Sequence, residues 1–115
     1  MVIVNATRKT VLADKCEMAA TFISRFKGLQ LRKELRCGCG LLLTPCSSIH
    51  MFFMRFPIDA VFIDPSNTII HIEENIKPWR ISKVVKNSRS VLELPSGTVS
   101  ATGTETGDFI EIQNS

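Results

Sequence analysis

The sequence predicts an α+β domain that is mostly β, with antiparallel strands in a barrel-like sheet and one helix in its N-terminal half. Short apolar runs separated by turn residues recur about every ten residues in the second half of the chain, which favours many short strands. One stretch near the N-terminus has helical periodicity instead. A length of 115 residues, with 44% hydrophobic and 22% charged residues, suits one globular core. We therefore treat residues 1–115 as a single domain.

The predicted helix follows a hairpin at the start of the chain. Residues 2–4 and 10–12 predict two strands that are joined by a polar loop. Asp14 is predicted to cap the helix, and Glu17 completes a capping box three residues later. Gly28 is predicted to end the helix, after an apolar stripe formed by Met18, Ala19, Phe22, Ile23 and Phe26.

The remaining elements are predicted to be strands. Residues 60–63 and 68–73 flank the sequence Asp64-Pro65-Ser66-Asn67, which is typical of a hairpin turn. Other apolar or β-branched runs predict strands at residues 41–43, 80–85, 90–94, 98–102 and 108–112.

The first residues predict an intracellular location. Residues 1–10 lack a basic start followed by an apolar run, so we expect no secretory signal. The longest apolar-rich stretch, residues 49–63, is interrupted by charged residues and proline, so we expect no membrane span. A cytoplasmic protein would keep its four cysteines reduced.

Charge is distributed unevenly, although the formal net charge is only +3. Five basic residues and no acid lie in the segment from Lys77 to Arg89, and only acids follow it. The asymmetry indicates either an anion-binding face or solvated loops that pair with the acidic strands. Weak nucleic-acid binding through Lys77 to Arg89 is thus one alternative. A nucleic-acid partner is nevertheless not expected, because a pI of 8.8 is below that typical of such proteins.

Three ionisable side chains interrupt the apolar run of residues 49–63, namely His50, Arg55 and Asp59. Charged groups in a buried run need partners or shifted pKa values. On a strand, Asp59 would share a face with Val61 and Ile63 and would enter an apolar layer. It is therefore either a structural hydrogen-bond acceptor or part of a site.

A second group of candidates has the pattern C-x-C-x6-C-x3-H and consists of Cys37, Cys39, Cys46 and His50. Thiolates and imidazole are the ligands that zinc favours. The spacing matches no standard zinc finger, however, and cysteine is often buried simply as a small hydrophobe. We expect no cofactor, and zinc is the alternative that these residues leave open. Cys46 could also act as a nucleophile with His50 as its base.

Trp79 is the only tryptophan, and it lies beside Arg80 at the start of the basic segment. A flat ring and a guanidinium can together hold a planar or sugar ligand, although a tryptophan in the core or at its rim is more common. The sequence contains no P-loop, no G-x-G-x-x-G after a strand and no H-E-x-x-H. It therefore gives no support to a nucleotide-dependent enzyme or a zinc protease.

Several blocks of the sequence together carry a family resemblance. They are Gly28-Leu29 with Arg32 and Leu35, Gly40-Leu41-Leu42, residues 49–64, Pro78, and residues 91–97. In this order they resemble the bacterial and archaeal family called domain of unknown function 192, or uncharacterised protein family 0127. The resemblance implies a small α+β domain with a barrel-like antiparallel sheet, and it implies no reaction. The functional positions that it implies are Met54, Pro57, Ile58, Asp59, Glu93, Pro95 and Gly97.

The sequence therefore predicts a non-catalytic accessory domain that binds a small ligand or a protein partner. We expect its pocket around His50 to Asp59, where this segment meets the end of the strand that carries Glu93. The candidate ligand-binding residues are His50, Met54, Arg55, Asp59, Trp79 and Glu93. The alternative is a small enzyme that uses Asp59 or His50 in acid–base chemistry, or Cys46 as a nucleophile.

Overall fold

The chain folds into two β-sheets and a short helix, in a computed structural model that describes residues 1–21 and 32–114. The strands of these residues are, in chain order, β1 (Val2–Asn5), β2 (Thr10–Ala13), β3 (Lys15–Ala19), β4 (Cys39–Leu43), β5 (Ile58–Ile63), β6 (Ile69–Ile76), β7 (Ser90–Pro95) and β8 (Ile110–Gln113). The helix α1 spans Thr98–Thr102. One sheet has the order β2-β1-β8 and the other β3-β4-β7-β5-β6. The pairing of β3 with β4 is parallel, and the other pairings are antiparallel.

Two apolar layers cover the two faces of the five-stranded sheet. The inter-sheet core lies between the sheets and includes Ile3, Leu12, Leu42, Val61, Leu92 and Ile110. The loop-side core covers the opposite face and includes Leu41, Ile49, Met51, Met54, Phe62 and Val91. All six residues of β5 are buried, because this strand faces both cores. That explains its continuous apolar sequence, since a strand covered on both faces does not alternate with polar residues.

Both predicted hairpins are present. Strands β1 and β2 pair antiparallel, as do β5 and β6. In the second hairpin, Oδ1 of Asp64 accepts hydrogen bonds from the backbone N–H groups of Ser66 and Thr68, both at 2.9 Å. This local bonding is what the turn sequence predicted.

The predicted start of the N-terminal helix is wrong, because Lys15–Ala19 forms strand β3. The N–H groups of Asp14 and Lys15 donate to the carbonyl oxygen of Gly38, at 2.9 and 3.0 Å, instead of beginning a helix. Pairing with the apolar edge of β4 thus overrides the local capping signal. Phe22, Ile23, Phe26 and Gly28, which belong to the rest of the predicted helix, lie outside the described residues.

The predicted strand at residues 98–102 is also wrong, because Thr98–Thr102 forms helix α1. This helix lies in the C-terminal half of the chain, and among the described residues it is the only one. Gly97 and Gly103, at its two ends, have left-handed backbone conformations with φ of 97° and 66°. The β-branched residues predicted a strand, but the glycines and a distant carboxylate, described below, close a helical turn.

Two further predictions need correction. Residues 80–85 were predicted to be a strand but form no regular one. Among them only Ile81 makes an isolated β-bridge, to His50. The sheets of the described residues remain two separate sheets and do not close into a barrel. Within the same residues, no helix has the length and apolar character that crossing a bilayer requires.

Candidate functional site

Two irregular segments lie side by side over the loop-side core, residues 47–53 and residues 79–85. The N–H of Met51 donates to the carbonyl of Arg80 at 2.7 Å, and the N–H of Trp79 donates back to the carbonyl of Met51 at 2.8 Å. Met51 is fully buried in the loop-side core. Met51 thus holds both segments against the core, while Phe52, Phe53, Trp79 and Ile81 beside it remain exposed.

Four aromatic rings cluster where the two segments meet. His50 stacks on Phe52 with ring centroids 5.1 Å apart, Phe52 lies 6.0 Å from Trp79, and Phe53 lies 5.0 Å from Trp79. Trp79 is 60% exposed and Phe53 is 55% exposed. Large apolar rings usually bury most of their area, so a cluster that leaves them in water is a candidate contact surface.

Two of these aromatic residues have a strained backbone. Phe53 has φ of 62° and Trp79 has φ of 69°, in the left-handed region. For a bulky residue this conformation costs roughly 1–2 kcal/mol. The hydrogen bonds between Trp79, Met51 and Arg80 hold the strained turn in place. Strain that is maintained next to exposed rings is typical of functional surfaces.

The two chain ranges that carry the aromatic rings contain basic residues and no acids. Residues 44–58 and 77–89 contain six of the fourteen lysines and arginines and none of the eleven acids, so the rest of the chain has a formal charge of −3. The six cations, all exposed, are Arg55, Lys77, Arg80, Lys83, Lys86 and Arg89. We call the surface formed by these two ranges the aromatic–basic surface. Its chemistry suits an anionic partner that also offers apolar contact.

Asp59 lies away from this surface, on the inter-sheet side of β5. Its side chain is fully buried and accepts three backbone hydrogen bonds, from Asn75 at 2.9 Å, Gly97 at 3.1 Å and Val99 at 3.0 Å. It thereby joins the end of β6 to the turn that begins α1. These contacts give Asp59 a structural acceptor role, one of the two roles that the sequence left open.

Glu93 is buried in the middle of the five-stranded sheet, facing the loop-side core. On the two strands beside β7 it pairs with Leu41 of β4 and Ala60 of β5, and neither side chain can donate a hydrogen bond. Oε1 of Glu93 is the only buried side-chain nitrogen or oxygen atom without a hydrogen-bond partner among residues 1–21 and 32–114. Burial raises the pKa of the Glu93 carboxyl to about 8, and the positive charge of Arg32 offsets this only in part. The neutral acid therefore predominates near pH 7.

Two more acids share the row of Glu93 across the sheet. Glu17 on β3 pairs with Leu41, and Glu73 on β6 pairs with Ala60. Arg32 forms an ion pair with Glu17, with 3.2 Å between Nη2 and Oε2. This face of the sheet thus carries acids, whereas the segments that cover it carry bases. Within the row, Glu93 lies between Glu17 and Glu73.

The four candidate metal ligands do not form a metal site as they stand. In residues 1–21 and 32–114, no three histidine, cysteine, aspartate or glutamate side chains are placed to hold one metal ion. Cys37 is exposed, whereas Cys39 and Cys46 are half-buried. A zinc site would therefore require these side chains to move together.

The cysteines are expected to react with iodoacetamide in an order set by exposure. Cys37 is exposed and should be alkylated first, and Cys16 should react only on unfolding because burial raises the pKa of its thiol to about 11. The half-buried Cys46 thiol donates to the carbonyl oxygen of Ser48 at 3.1 Å, so it should be slower than Cys37. Peptide mass mapping over time gives the order. Cys46 labelling before Cys37 would instead favour its use as a nucleophile.

The structure brings together some of the predicted site residues and separates others. His50 and Trp79 meet through Phe52, and Met54 lies in the loop-side core beneath them. Asp59 belongs to the other face of the sheet, so its hydrogen bonds do not serve this surface. Sequence analysis missed Ile81, which was assigned to a strand although it is 66% exposed. The sequence does contain a signal for its exposure. Ile81 is an apolar residue between Arg80 and Lys83, in a segment whose apolar and polar residues do not alternate regularly as in a half-buried strand.

The chain forms a small two-sheet β domain with a cluster of exposed aromatic rings, and comparison with known proteins gives its family. The model of the family DUF192, described as "Uncharacterized ACR, COG1430", matches residues 2–112. A UPF0127 protein of Thermococcus gammatolerans is 33% identical over 113 residues, which cover 94% of this chain and 72% of that protein. A UPF0127 protein of Pyrococcus abyssi is 32% identical over 113 residues, which cover 96% of each chain. The chain belongs to the DUF192 family, also called UPF0127, as the sequence blocks predicted.

Solved structures resemble the fold closely. A protein of unknown function from Novosphingobium aromaticivorans has a TM-score of 0.86 and 25% sequence identity, and the match covers 96% of this chain and 83% of that one. A candidate transcription regulator from Sinorhizobium meliloti has a TM-score of 0.79 and 29% identity, with 96% and 89% covered.

Proposed function

We propose that this protein is a non-catalytic binding domain that holds a protein partner on its aromatic–basic surface. The observation that carries the proposal is the cluster of exposed Phe52, Phe53 and Trp79 rings, in which Phe53 and Trp79 have left-handed backbones. Aromatic and arginine side chains contribute most of the binding energy in many interfaces. A surface that combines aromatic and arginine side chains, and that keeps two aromatic residues in a strained backbone conformation, is suited to recognition.

The partner inferred from this surface is a protein segment that carries acidic and apolar side chains. Six cations without a single acid favour an acidic partner, and the exposed rings favour apolar side chains on it. Small-molecule sites usually enclose most of their ligand, whereas Trp79 and Phe53 are more than half exposed. A small ligand is the other possible occupant, and it would be detected as excess mass in native but not in denaturing mass spectra.

Selection from a random peptide display library is expected to enrich peptides that contain both acidic and aromatic or aliphatic residues. The affinity of a selected peptide is measured by the fluorescence of Trp79, which is unambiguous because the protein has one tryptophan and no tyrosine. Arg80→Gln is expected to weaken binding about tenfold, equivalent to about 1.4 kcal/mol, because it removes the exposed cation that follows Trp79 in the chain. Trp79→Ala, followed by calorimetry, should weaken it at least as much.

Two control variants separate the surface from general effects of charge and hydrophobicity. Lys33→Gln removes an exposed cation outside the surface, and Val11→Ala shortens a 53% exposed apolar side chain on the other sheet. Both should leave the affinity unchanged. A library that yields no binding peptide, or peptides that bind Trp79→Ala as well as the unchanged protein, would contradict the proposal.

Nucleic-acid binding is a second candidate function, favoured by the basic segment and by the description of the Sinorhizobium meliloti neighbour as a candidate transcription regulator. Exposed aromatic rings and cations also bind single-stranded nucleic acid, by stacking and phosphate contact. A thymidine oligonucleotide that quenches Trp79 with an affinity falling steeply with salt would favour this function over a protein partner. Displacement of the selected peptide by the oligonucleotide would show that the two share one surface.

A further inference from the structure

The segment of residues 79–85 presents a backbone edge to solvent. His50 and Ile81 form an antiparallel bridge. The hydrogen bonds beside it run from the N–H of Met51 to Arg80 and from the N–H of Ser82 to Ile49, at 2.7 and 2.9 Å. Ile81 therefore occupies a non-hydrogen-bonded position, at which its own N–H and carbonyl point away from residues 47–53.

Among the described residues, this outward edge has no strand beside it. Ile81 is 66% exposed and Val84 is 74% exposed. Ser82 is buried and binds inward, because its Oγ accepts from the N–H of Ile49 at 2.8 Å and donates to the carbonyl of Lys83 at 3.0 Å. The segment is thus fixed on its inner side and open on its outer side.

The basic residues on this edge favour an acidic partner strand over a second copy of this chain. Exposed strand edges pair readily with other chains, and lysine is a common protection against self-pairing. Arg80, Lys83 and Lys86 would face the same cations if two copies of this chain paired here. A partner strand that carries acids would instead neutralise them.

We propose that an extended acidic segment of a protein partner adds as a short β-strand to the outer edge of residues 79–85, pairing its backbone with Ile81. This inference rests on the proposed function, because it names the way in which the same surface holds its partner. Backbone pairing supplies affinity, while alternate side chains of the partner contact the exposed rings or the cations. The partner's apolar residues then lie beside Trp79 and Ile81, and its acids lie beside Lys83.

The test uses the peptide of highest affinity from the display library, synthesised with N-methyl groups on alternate residues in two sets. In a strand, alternate N–H groups point to opposite sides, so only one set of residues can donate to Ile81. Methylation of that set is expected to weaken binding more than tenfold, and methylation of the other set should change it less than threefold. Equal effects of the two sets would overturn strand addition.

Variants at Ile81 test the same contact from the protein side. Ile81→Pro removes an N–H that makes no hydrogen bond within the described part of the chain, and Ile81→Ala keeps that N–H while removing most of the side chain. Binding of the selected peptide should be weakened about tenfold more by proline than by alanine, with both variants folded by circular dichroism. Equal losses in two folded variants would mean that the backbone edge is not used. If Ile81→Pro does not fold, the two methylated peptides decide the question.

These outcomes distinguish the two proposals. A peptide that binds through Trp79 and Arg80 but is indifferent to the position of its N-methyl groups overturns strand addition and leaves the proposed function intact. The absence of any binding peptide overturns both.

Discussion

Replacing Glu93 with glutamine is expected to make the protein more stable at pH 8 and to remove most of the pH dependence of its stability between pH 4.5 and 8. Burial raises the pKa of this carboxyl from 4.5 to about 8. The folded protein therefore keeps the proton over this range, whereas the unfolded chain releases it. Raising the pH therefore stabilises the unfolded chain. The contribution of the Glu93 carboxyl to the free energy of unfolding is fully present below pH 4.5 and is lost as the pH approaches 8.

The size of this effect follows from the size of the shift. Each pKa unit corresponds to about 1.4 kcal/mol, so the free energy of unfolding should fall by on the order of 4 kcal/mol across the window. Glutamine has nearly the same shape as the neutral acid but does not titrate. The variant should match the unchanged protein at pH 4.5 and exceed it increasingly towards pH 8.

Urea unfolding at several pH values measures this difference, with Glu74→Gln as the matched control. Glu74 is exposed on β6, so its replacement changes the formal charge equally without changing a buried group. Its stability should follow that of the unchanged protein. Parallel pH profiles for the Glu93 variant and the unchanged protein would mean that the carboxyl is not held neutral by burial.

Replacing Asp59 with alanine is expected to destabilise the fold severely. The change leaves the N–H groups of Asn75, Gly97 and Val99 without their acceptor. Val99 and the Asp59 carboxylate are buried, whereas Asn75 and Gly97 are exposed residues whose N–H groups water can reach in part. A buried orphaned group costs roughly 1–3 kcal/mol and a partly exposed one costs less, so the total is on the order of 3 kcal/mol, a large part of the stability of an ordinary domain. Asp59→Asn keeps one acceptor oxygen and should cost less.

Asp64→Ala is the matched control for this prediction. Asp64 also accepts backbone hydrogen bonds, from Ser66 and Thr68, but it does so in a partly exposed turn where water can replace it. Its loss should cost about 1 kcal/mol. If urea unfolding gives Asp59→Ala no larger cost than Asp64→Ala, the structural role of Asp59 is contradicted and a role in binding becomes the better explanation.

Local chemistry explains which elements could be predicted. The turn from Asp64 to Thr68 was predictable because its hydrogen bonds form within four residues. Strand β3 was not, because Asp14 and Glu17 form a good capping box, which is overridden by the carbonyl of Gly38 and by pairing with β4, far along the chain. Helix α1 was missed for the same reason, since the acceptor of its first N–H groups is Asp59, 38 and 40 residues away.

The site was predictable in composition but not in arrangement. Trp79 and His50 stood out in the sequence, but their contact through Phe52 depends on pairing between segments that are separated by β5 and β6. Glu93 was suggested only by the family resemblance, because an acid between leucines in a strand is equally compatible with an exposed face. Its burial follows from the position of β7 between β4 and β5, which no local pattern specifies.

The uneven distribution of charge between the aromatic–basic surface and the rest of the chain gives the protein an electric dipole as well as a net charge. With +6 on residues 44–58 and 77–89 and −3 on the remainder, the protein experiences a torque as well as an attraction in the field of an approaching anion, even though its net charge is small. The protein would therefore turn its aromatic–basic surface towards an acidic partner before contact, within about one Debye length, roughly 8 Å at physiological salt. Added salt would then slow capture far more than it hastens release, so the charges would control how quickly the complex forms and the rings how long it lasts.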